Sequence, residues 1–334
     1  MKQEIKLANC FLFLFALILF FTSCRKGELP VPIPTINSKG SGPLTTKSVE
    51  LSSTYENQIY FDFSSNSNKG KGHRDDWDLR FSCDPSNSYI QMNGAKMMMS
   101  SRLTGQTFES VNSTVSFNTN VAAEHPSGRM DSLAIKNGDL FLINRGSNAA
   151  AVQLGVIKME IIEHNATHFK GRFANLDGSN EQTVTIPKNN DYNFVYLKWN
   201  TSAPISTPTI EPLKDTWDIV FAQYTESFYT PYFLPYSVVG CLTNAYNTLS
   251  LEVTNKAFED IDLDYASNLV LSNDRNIIGY SWKTFLFDSD KYAIHSDKVY
   301  IIKDSEGDFY KLRFIDFYNM IGEKGTPMFE FQRL

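Results

Sequence analysis

Cysteine is scarce in this chain, with four in 334 residues, at positions 10, 24, 83 and 241. No Cys-x-x-Cys occurs, and two cysteines downstream of the N-terminal segment cannot build a zinc site alone. They could pair in an oxidising compartment, but they fall at unmatched positions in different halves, which favours two separate buried thiols. Positive charge is also in short supply: 31 Lys and Arg stand against 37 Asp and Glu, with no basic run, so nucleic acid is excluded as a natural partner. No segment keeps a helical period beyond three turns. There is no G-x-S-x-G, H-E-x-x-H, phosphate-binding loop or dinucleotide fingerprint, which removes the common enzyme readings. Histidine is limited to five residues.

What the chain has instead begins at its N-terminus. Lys2 and Lys6 precede an unbroken apolar run, Phe11 to Phe21, which Thr22-Ser23-Cys24 closes. The run falls short of the roughly 20 apolar residues that a spanning helix needs. A charged start, an apolar middle and small residues before a cut have the layout of a secretory signal. Its ending resembles a bacterial lipobox, in which Cys24 would be acylated and become the first mature residue. Several acyl chains anchor a protein stably where one is marginal. Prolines at 30, 32, 34 and 43 and glycines at 27, 40 and 42 follow, with no period, so 24–50 is expected to be an extended tether.

About 280 residues remain, a length that usually divides into two domains. They read as one pattern used twice. Asn57-Gln58-Ile59-Tyr60-Phe61-Asp62-Phe63 leads through a polar loop to Asp76-Trp77-Asp78-Leu79-Arg80-Phe81. Asn193-Phe194-Val195-Tyr196-Leu197-Lys198-Trp199 leads through a Pro-rich loop to Asp215-Thr216-Trp217-Asp218-Ile219-Val220-Phe221. In each Trp-Asp segment the Trp, aliphatic and Phe positions alternate onto one face of a strand. The aspartates beside them read as solvent-facing or loop-capping groups. A spacing of roughly 140 residues is too long for a solenoid and indicates tandem domains. The expected division is a signal at 1–23, a tether at 24–50, and two β domains at 51–190 and 191–334. The fold class is all-β with minor helix, Ala257 to Leu271 reading as either a short helix or an extended segment.

The last stretch, Val299 to Leu334, is the most legible. Val299 to Ile302 is an apolar β-rich run, Lys303 to Asp308 a turn with Gly307 free to take positive φ, and Phe309 to Tyr318 a second strand. In that strand Tyr310, Leu312, Phe314 and Asp316 are expected on one face and Lys311, Arg313, Ile315 and Phe317 on the other. Gly322, Gly325 and Pro327 precede a third apolar run with Met328, Phe329 and Phe331. The whole should be an antiparallel meander with a central middle strand. In the first half Leu140-Phe141-Leu142-Ile143, Gly155 to His164 and Thr183-Val184-Thr185-Ile186 take the corresponding places.

Tyr300-Ile301-Ile302-Lys303, Gly307-x-Phe309-Tyr310-Lys311-Leu312-Arg313-Phe314, Phe317-Tyr318-Asn319 and Gly322-x-x-Gly325-x-Pro327 together resemble the C-terminal signature of HmuY-type haem-binding lipoproteins of Bacteroidetes. The Tyr-Phe strand and Trp-Asp segment of the family are also present in both halves, so the second half resembles an HmuY-like domain and the first a diverged copy. The resemblance implies non-catalytic haem capture by a surface lipoprotein of the outer membrane, with a haem-carrying protein and an outer-membrane haem receptor as partners. It implies two axial side chains on the iron, His or Met, within apolar and aromatic walls. His125 and His295 are the candidate pair. His164 and His168, flanking Asn165-Ala166-Thr167, would face each other at a hairpin mouth, and Met130 lies five residues from His125. Met97-Met98-Met99 reads more readily as a plastic core patch. Asp131-Ser132-Leu133 resembles a short O-glycosylation motif. The alternative reading is a lipid-anchored β-rich adhesion or polysaccharide-associated module that does not bind haem.

Overall fold

A computed structural model of the chain describes residues 39–85, 89–115, 121–128, 134–244 and 246–334. Cys24, Met130 and Asp131 to Leu133 lie outside these. Strand dominates, as the sequence leads one to expect, and the sheets are antiparallel throughout. Among the described residues no helix is long and apolar enough to cross a membrane.

A five-stranded sheet is ordered β1 (Thr45–Ser48), β20 (Lys324–Arg333), β19 (Phe309–Tyr318), β18 (Val299–Lys303), β15 (Leu249–Val253). Its last three chain segments are the expected meander, and β19 is its central strand. Gly307 turns β18 into β19 with φ of 91°, a conformation that costs glycine nothing. The strict alternation fails at one point. The register shifts between Phe314 and Asp316 and again before Tyr318, and this bulge returns Phe317 to the face of Tyr310, Leu312 and Phe314. Lys311 on the opposite face is also buried. Its Nζ donates to the carbonyl of Ile261 at 2.8 Å and lies over the Phe258 ring. That face is covered by a short 3-10 turn, Phe258–Asp260, and a short α-helix, Leu263–Ser267, which decides for helix in the stretch that the sequence leaves open between helix and extended segment.

The related six-stranded sheet is ordered β11 (Gln182–Pro187), β10 (His168–Asn175), β9 (Val156–His164), β8 (Leu140–Asn144), β6 (Met99–Leu103), β7 (Val121–Ala123). Here β8 and β9 correspond to β18 and β19. The strand in the place of β20 is β10, not the Thr183 to Ile186 segment, which lies one position further out as β11. A four-stranded sheet runs β14 (Leu234–Thr243), β13 (Ile219–Phe228), β2 (Asn57–Asp62), β3 (Ser67–His73). A three-stranded one runs β12 (Phe194–Leu197), β4 (Leu79–Ser82), β5 (Ile90–Met92), and β16 (Lys283–Leu286) pairs with β17 (Lys291–Ile294). The polar loop after Phe63 therefore contains a strand. Its sequence, SNKGKGH, suits an exposed sheet edge, which has only one neighbour to satisfy.

The repeat is present in the hydrogen bonds, and its two copies exchange strands. β2 pairs with β13, and β12 with β4, so each copy's opening strand is bonded to the other copy's Trp-Asp strand. Asp218 N donates to Phe61 O at 2.9 Å and Asp78 N to Leu197 O at 2.8 Å. Phe63 N donates to Asp218 Oδ2 at 2.8 Å, and Trp199 N to Asp78 Oδ2 at 2.7 Å. Asn244 Nδ2 donates to Trp217 O, as Asn93 Nδ2 does to Trp77 O, each at 2.9 Å. Trp217 meets Tyr60 edge-on at 4.8 Å, and Trp77 meets Tyr196 edge-on at 5.1 Å. The two aspartates are thus buried strand-crossing caps rather than solvent-facing groups. An acceptor is needed there because each opening strand ends with a backbone N–H turned into the interior.

The cores follow the exchange. One contains Leu51, Phe61 and Phe63 with Phe221, Trp282, Phe314 and Phe329; the other contains Phe81, Phe141, Ile161 and Phe173 with Leu197 and Trp199. Pairing accordingly crosses residue 190, and residues 38–334 form one compact unit. The end of the expected tether belongs to that unit. Thr45–Ser48 forms an edge strand on β20, and Val49 and Leu51 are buried. Cys83 and Cys241 are both free and buried, in agreement with two separate thiols.

Candidate binding site

The four described histidines of the candidate set do not assemble around one point. His164 pairs in register with Phe169, which puts its ring 6.3 Å from that of Phe169. His168 is one residue before Phe169 and therefore points to the other sheet face, where its Nε2 lies 3.7 Å from Glu163. The two imidazoles thus sit back to back across the hairpin mouth. His125 follows β7, with β6 and β8 between it and β9, a separation of about 14 Å at ordinary strand spacing. It caps its own turn: Ser127 N donates to His125 Nδ1 at 3.2 Å, and the Ser127 hydroxyl is 2.7 Å from the same atom. His295 belongs to the end of the β16–β17 hairpin, with Nε2 2.8 Å from the Thr284 hydroxyl. Met98 is a core residue, and the left-handed conformation of Met97 breaks the run's alternation. Among the described residues, the one triad of His, Cys or carboxylate groups spaced to share a metal is Asp304, Glu306 and Asp308, without a histidine.

Two spaces in the body are informative. The first lies at the joint between the copies and is lined by Trp77, Trp217, Tyr60, Arg80, Glu124 and Arg275, among others. Arg80 Nη2 bonds Glu124 Oε1 at 3.0 Å, and Arg275 Nη1 lies 4.0 Å from the same oxygen. Nearby, Glu211 accepts from Phe194 N at 2.7 Å, and burial pushes its carboxyl up to about 7. At about 50 Å³ the space has room for a few waters and none for a tetrapyrrole.

The second is a groove of about 370 Å³, within the range of small-molecule sites. One wall is the part of β14 from Tyr236 to Val239. Further along, Cys241 and Thr243 bond the backbone of Gly279 and Arg275, so this side of β14 is closed there and open at the groove. The opposite wall is β16 with Phe287, and Tyr55, Tyr280 and Tyr292 complete it. The aromatic count is high for so small a surface, and the outer rings are bare. Phe287 is 85% and Tyr236 53% exposed. Thr284, which holds His295, lines the groove, so His295 is the candidate imidazole nearest to it by bonding. At the back is Lys283, 6% exposed, whose Nζ donates to Val239 O. Trp282, Phe317 and Tyr292 surround that ammonium with ring centroids at 4.2, 4.8 and 5.5 Å. Burial alone pushes it down to about 7.

Sequence reasoning passed over this groove. The signal available was Phe285-x-Phe287 beside Tyr292, together with the aromatic density from Phe228 to Tyr236; both are richer in rings than a half-buried hairpin requires. Half of the residues lining the groove are aromatic, and no histidine is among them.

The HmuY protein family model matches residues 54–331, one run through both copies of the pattern. Among solved structures, apo PinO from Porphyromonas gingivitis is 10% identical over 87% of this chain and 97% of that chain, with a TM-score of 0.29. A protein described as a lipoprotein from Bacteroides fragilis is 12% identical over 87% and 91%, with a TM-score of 0.23. One described as an HmuY-like haem-binding protein from Bacteroides vulgatus is 9% identical over 88% and 96%, with a TM-score of 0.22. No curated protein matches. The family match covers most of the chain and takes in both Trp-Asp segments and the closing meander, and on that ground this protein belongs to the HmuY family.

Proposed function

We propose that this chain is a lipid-anchored binder of haem or a related tetrapyrrole, acting without catalysis in uptake at the outer membrane and handing its ligand to a receptor there. The observation that carries the reading is the aromatic groove between the open side of β14 and the β16–β17 hairpin. Rings such as Phe287 and Tyr236 cost free energy when left in water, and a flat apolar ligand would cover both. Of the described candidate histidines, His295 is the one bonded to a groove-lining residue, Thr284, and in this reading it would turn from that hydroxyl to offer a nitrogen to iron from one face. When bound, the group would supply an iron centre and a strong visible absorption. The chain's residues would desolvate the ring and set its orientation.

The second reading, adhesion or polysaccharide binding, draws on Tyr229 and Tyr232 at the β13–β14 tip, 61% and 67% exposed, since bare tyrosine rings also stack on sugars. A titration of the purified soluble part with haemin separates the two. A Soret shift at micromolar protein, reduced at least tenfold in affinity by Phe287→Ala with Tyr236→Ala and altered in position by His295→Ala, is the expected result. An unshifted spectrum at that concentration would end the haem reading and turn attention to the sugar arm.

A further inference from the structure

Lys283 is the one charged side chain in the groove wall; its neighbours there are rings, aliphatic groups, hydroxyls and the Gln223 amide. An ammonium has three protons to donate, and the hydrogen bond at this one goes to a single backbone carbonyl, that of Val239. Among the described residues no carboxylate forms an ion pair with it; of the other deeply buried lysines, Lys96 has Asp78 at 2.9 Å, while Lys158 and Lys311 each donate to two backbone carbonyls rather than one. Three aromatic faces offset part of the desolvation cost, but they supply no counter-charge. A methionine of similar length would fill the same volume without that cost, so packing alone does not account for a lysine here.

We infer that Lys283 is the anchor for an acidic group of the ligand, and that the groove selects planar aromatic molecules carrying a carboxylate over their neutral counterparts. The inference rests on the groove being the ligand site. The carboxylate would enter along the wall formed by Tyr55 and Tyr292, and the buried Tyr55 hydroxyl there can donate to its second oxygen. The aromatic body of the ligand would then lie outward, against Phe285, Phe287 and Tyr236. In this arrangement the groove reads charge at its closed end and flatness at its open end, and the buried ammonium is balanced only when the correct ligand is in place.

The test uses the whole lipid-free chain and two iron-free probes, protoporphyrin IX and its dimethyl ester, with binding followed by quenching of tryptophan fluorescence. The expected result is at least a tenfold preference for the diacid. Lys283→Met should lower affinity for the diacid to that for the ester and leave the ester's affinity unchanged, while Lys283→Arg should restore much of the preference. The Met variant should melt no lower than the parent, because it removes a buried charge. Equal binding of acid and ester by the parent, or a preference that survives in Lys283→Met, overturns the role of Lys283 while leaving the groove as the ligand site. Binding of neither probe nor of haemin overturns the groove itself, and the role of Lys283 with it.

Discussion

The two copies of the Trp-Asp pattern place Asp78 and Asp218 at equivalent points with opposite electrostatic surroundings, and that difference yields a quantitative expectation. Both are buried, and both accept a hydrogen bond from the end of the other copy's opening strand. Asp78 faces two cations, Lys96 Nζ at 2.9 Å and Arg145 Nη2 at 3.2 Å. Among the described residues Asp218 has no ion-pair partner; burial, and then Asp62 and Asp304, push its carboxyl up to about 7. Asp78→Asn leaves two buried cations without their counter-charge and should cost about 3–5 kcal/mol at every pH where they are charged. Asp218→Asn keeps an oxygen for Phe63 N and should do the reverse. Between the ordinary carboxyl value and about 7, the unfolded chain has released the proton that the folded chain still holds. Raising the pH through that window therefore favours unfolding, by on the order of 4 kcal/mol once the folded group has also ionised. The amide has no proton to lose, so Asp218→Asn should match the parent near pH 4 and exceed it at pH 8. Urea denaturation followed by tryptophan fluorescence at pH 4.5, 6 and 8 reads both substitutions. An Asp218→Asn protein as unstable as Asp78→Asn at pH 8, or one with the parent's full pH slope, would refute the reasoning.

Two further expectations concern the groove wall and the anchor. A Cβ on Gly240 would come within 2.3 Å of the Gly279 carbonyl oxygen, so Gly240→Ala should push that segment off β14 and cost about 1–3 kcal/mol, read as a lower urea midpoint; an unchanged midpoint would mean the close approach is not held in solution. Replacing Cys24 by Ser should remove acylation and move the chain from the membrane to the soluble fraction in its native host, with mass spectrometry of the N-terminal peptide as the check. A Cys24→Ser chain still held in the membrane fraction would count against the lipobox reading.

Local pattern carried a large part of this protein. The alternation of Val299 to Leu334 and the glycines at its turns determined a meander and its middle strand, since period and turn chemistry act between residues close in sequence. The Trp-Asp echo determined that two sites would be built alike. The partner of each opening strand was not legible. β2 and β12 have the same alternation and the same central Tyr, so each could equally serve either copy, and only the closure of two cores fixed the exchange. Lys283, Lys311, Asp78 and Asp218 mislead for a related reason. A charged residue in or next to a strand predicts a solvent face, but its fate depends on whether a carbonyl, a ring or a backbone N–H from a distant segment arrives to satisfy it. The described histidines do not gather around one point, because their spacing along the chain carries no information about which sheet face each occupies. Sequence alone thus determined the closing meander with its turns and the echo between the two Trp-Asp segments. The tertiary structure decided which strands pair, which charges are buried and where rings gather into a groove, because those depend on contacts between segments far apart in the chain.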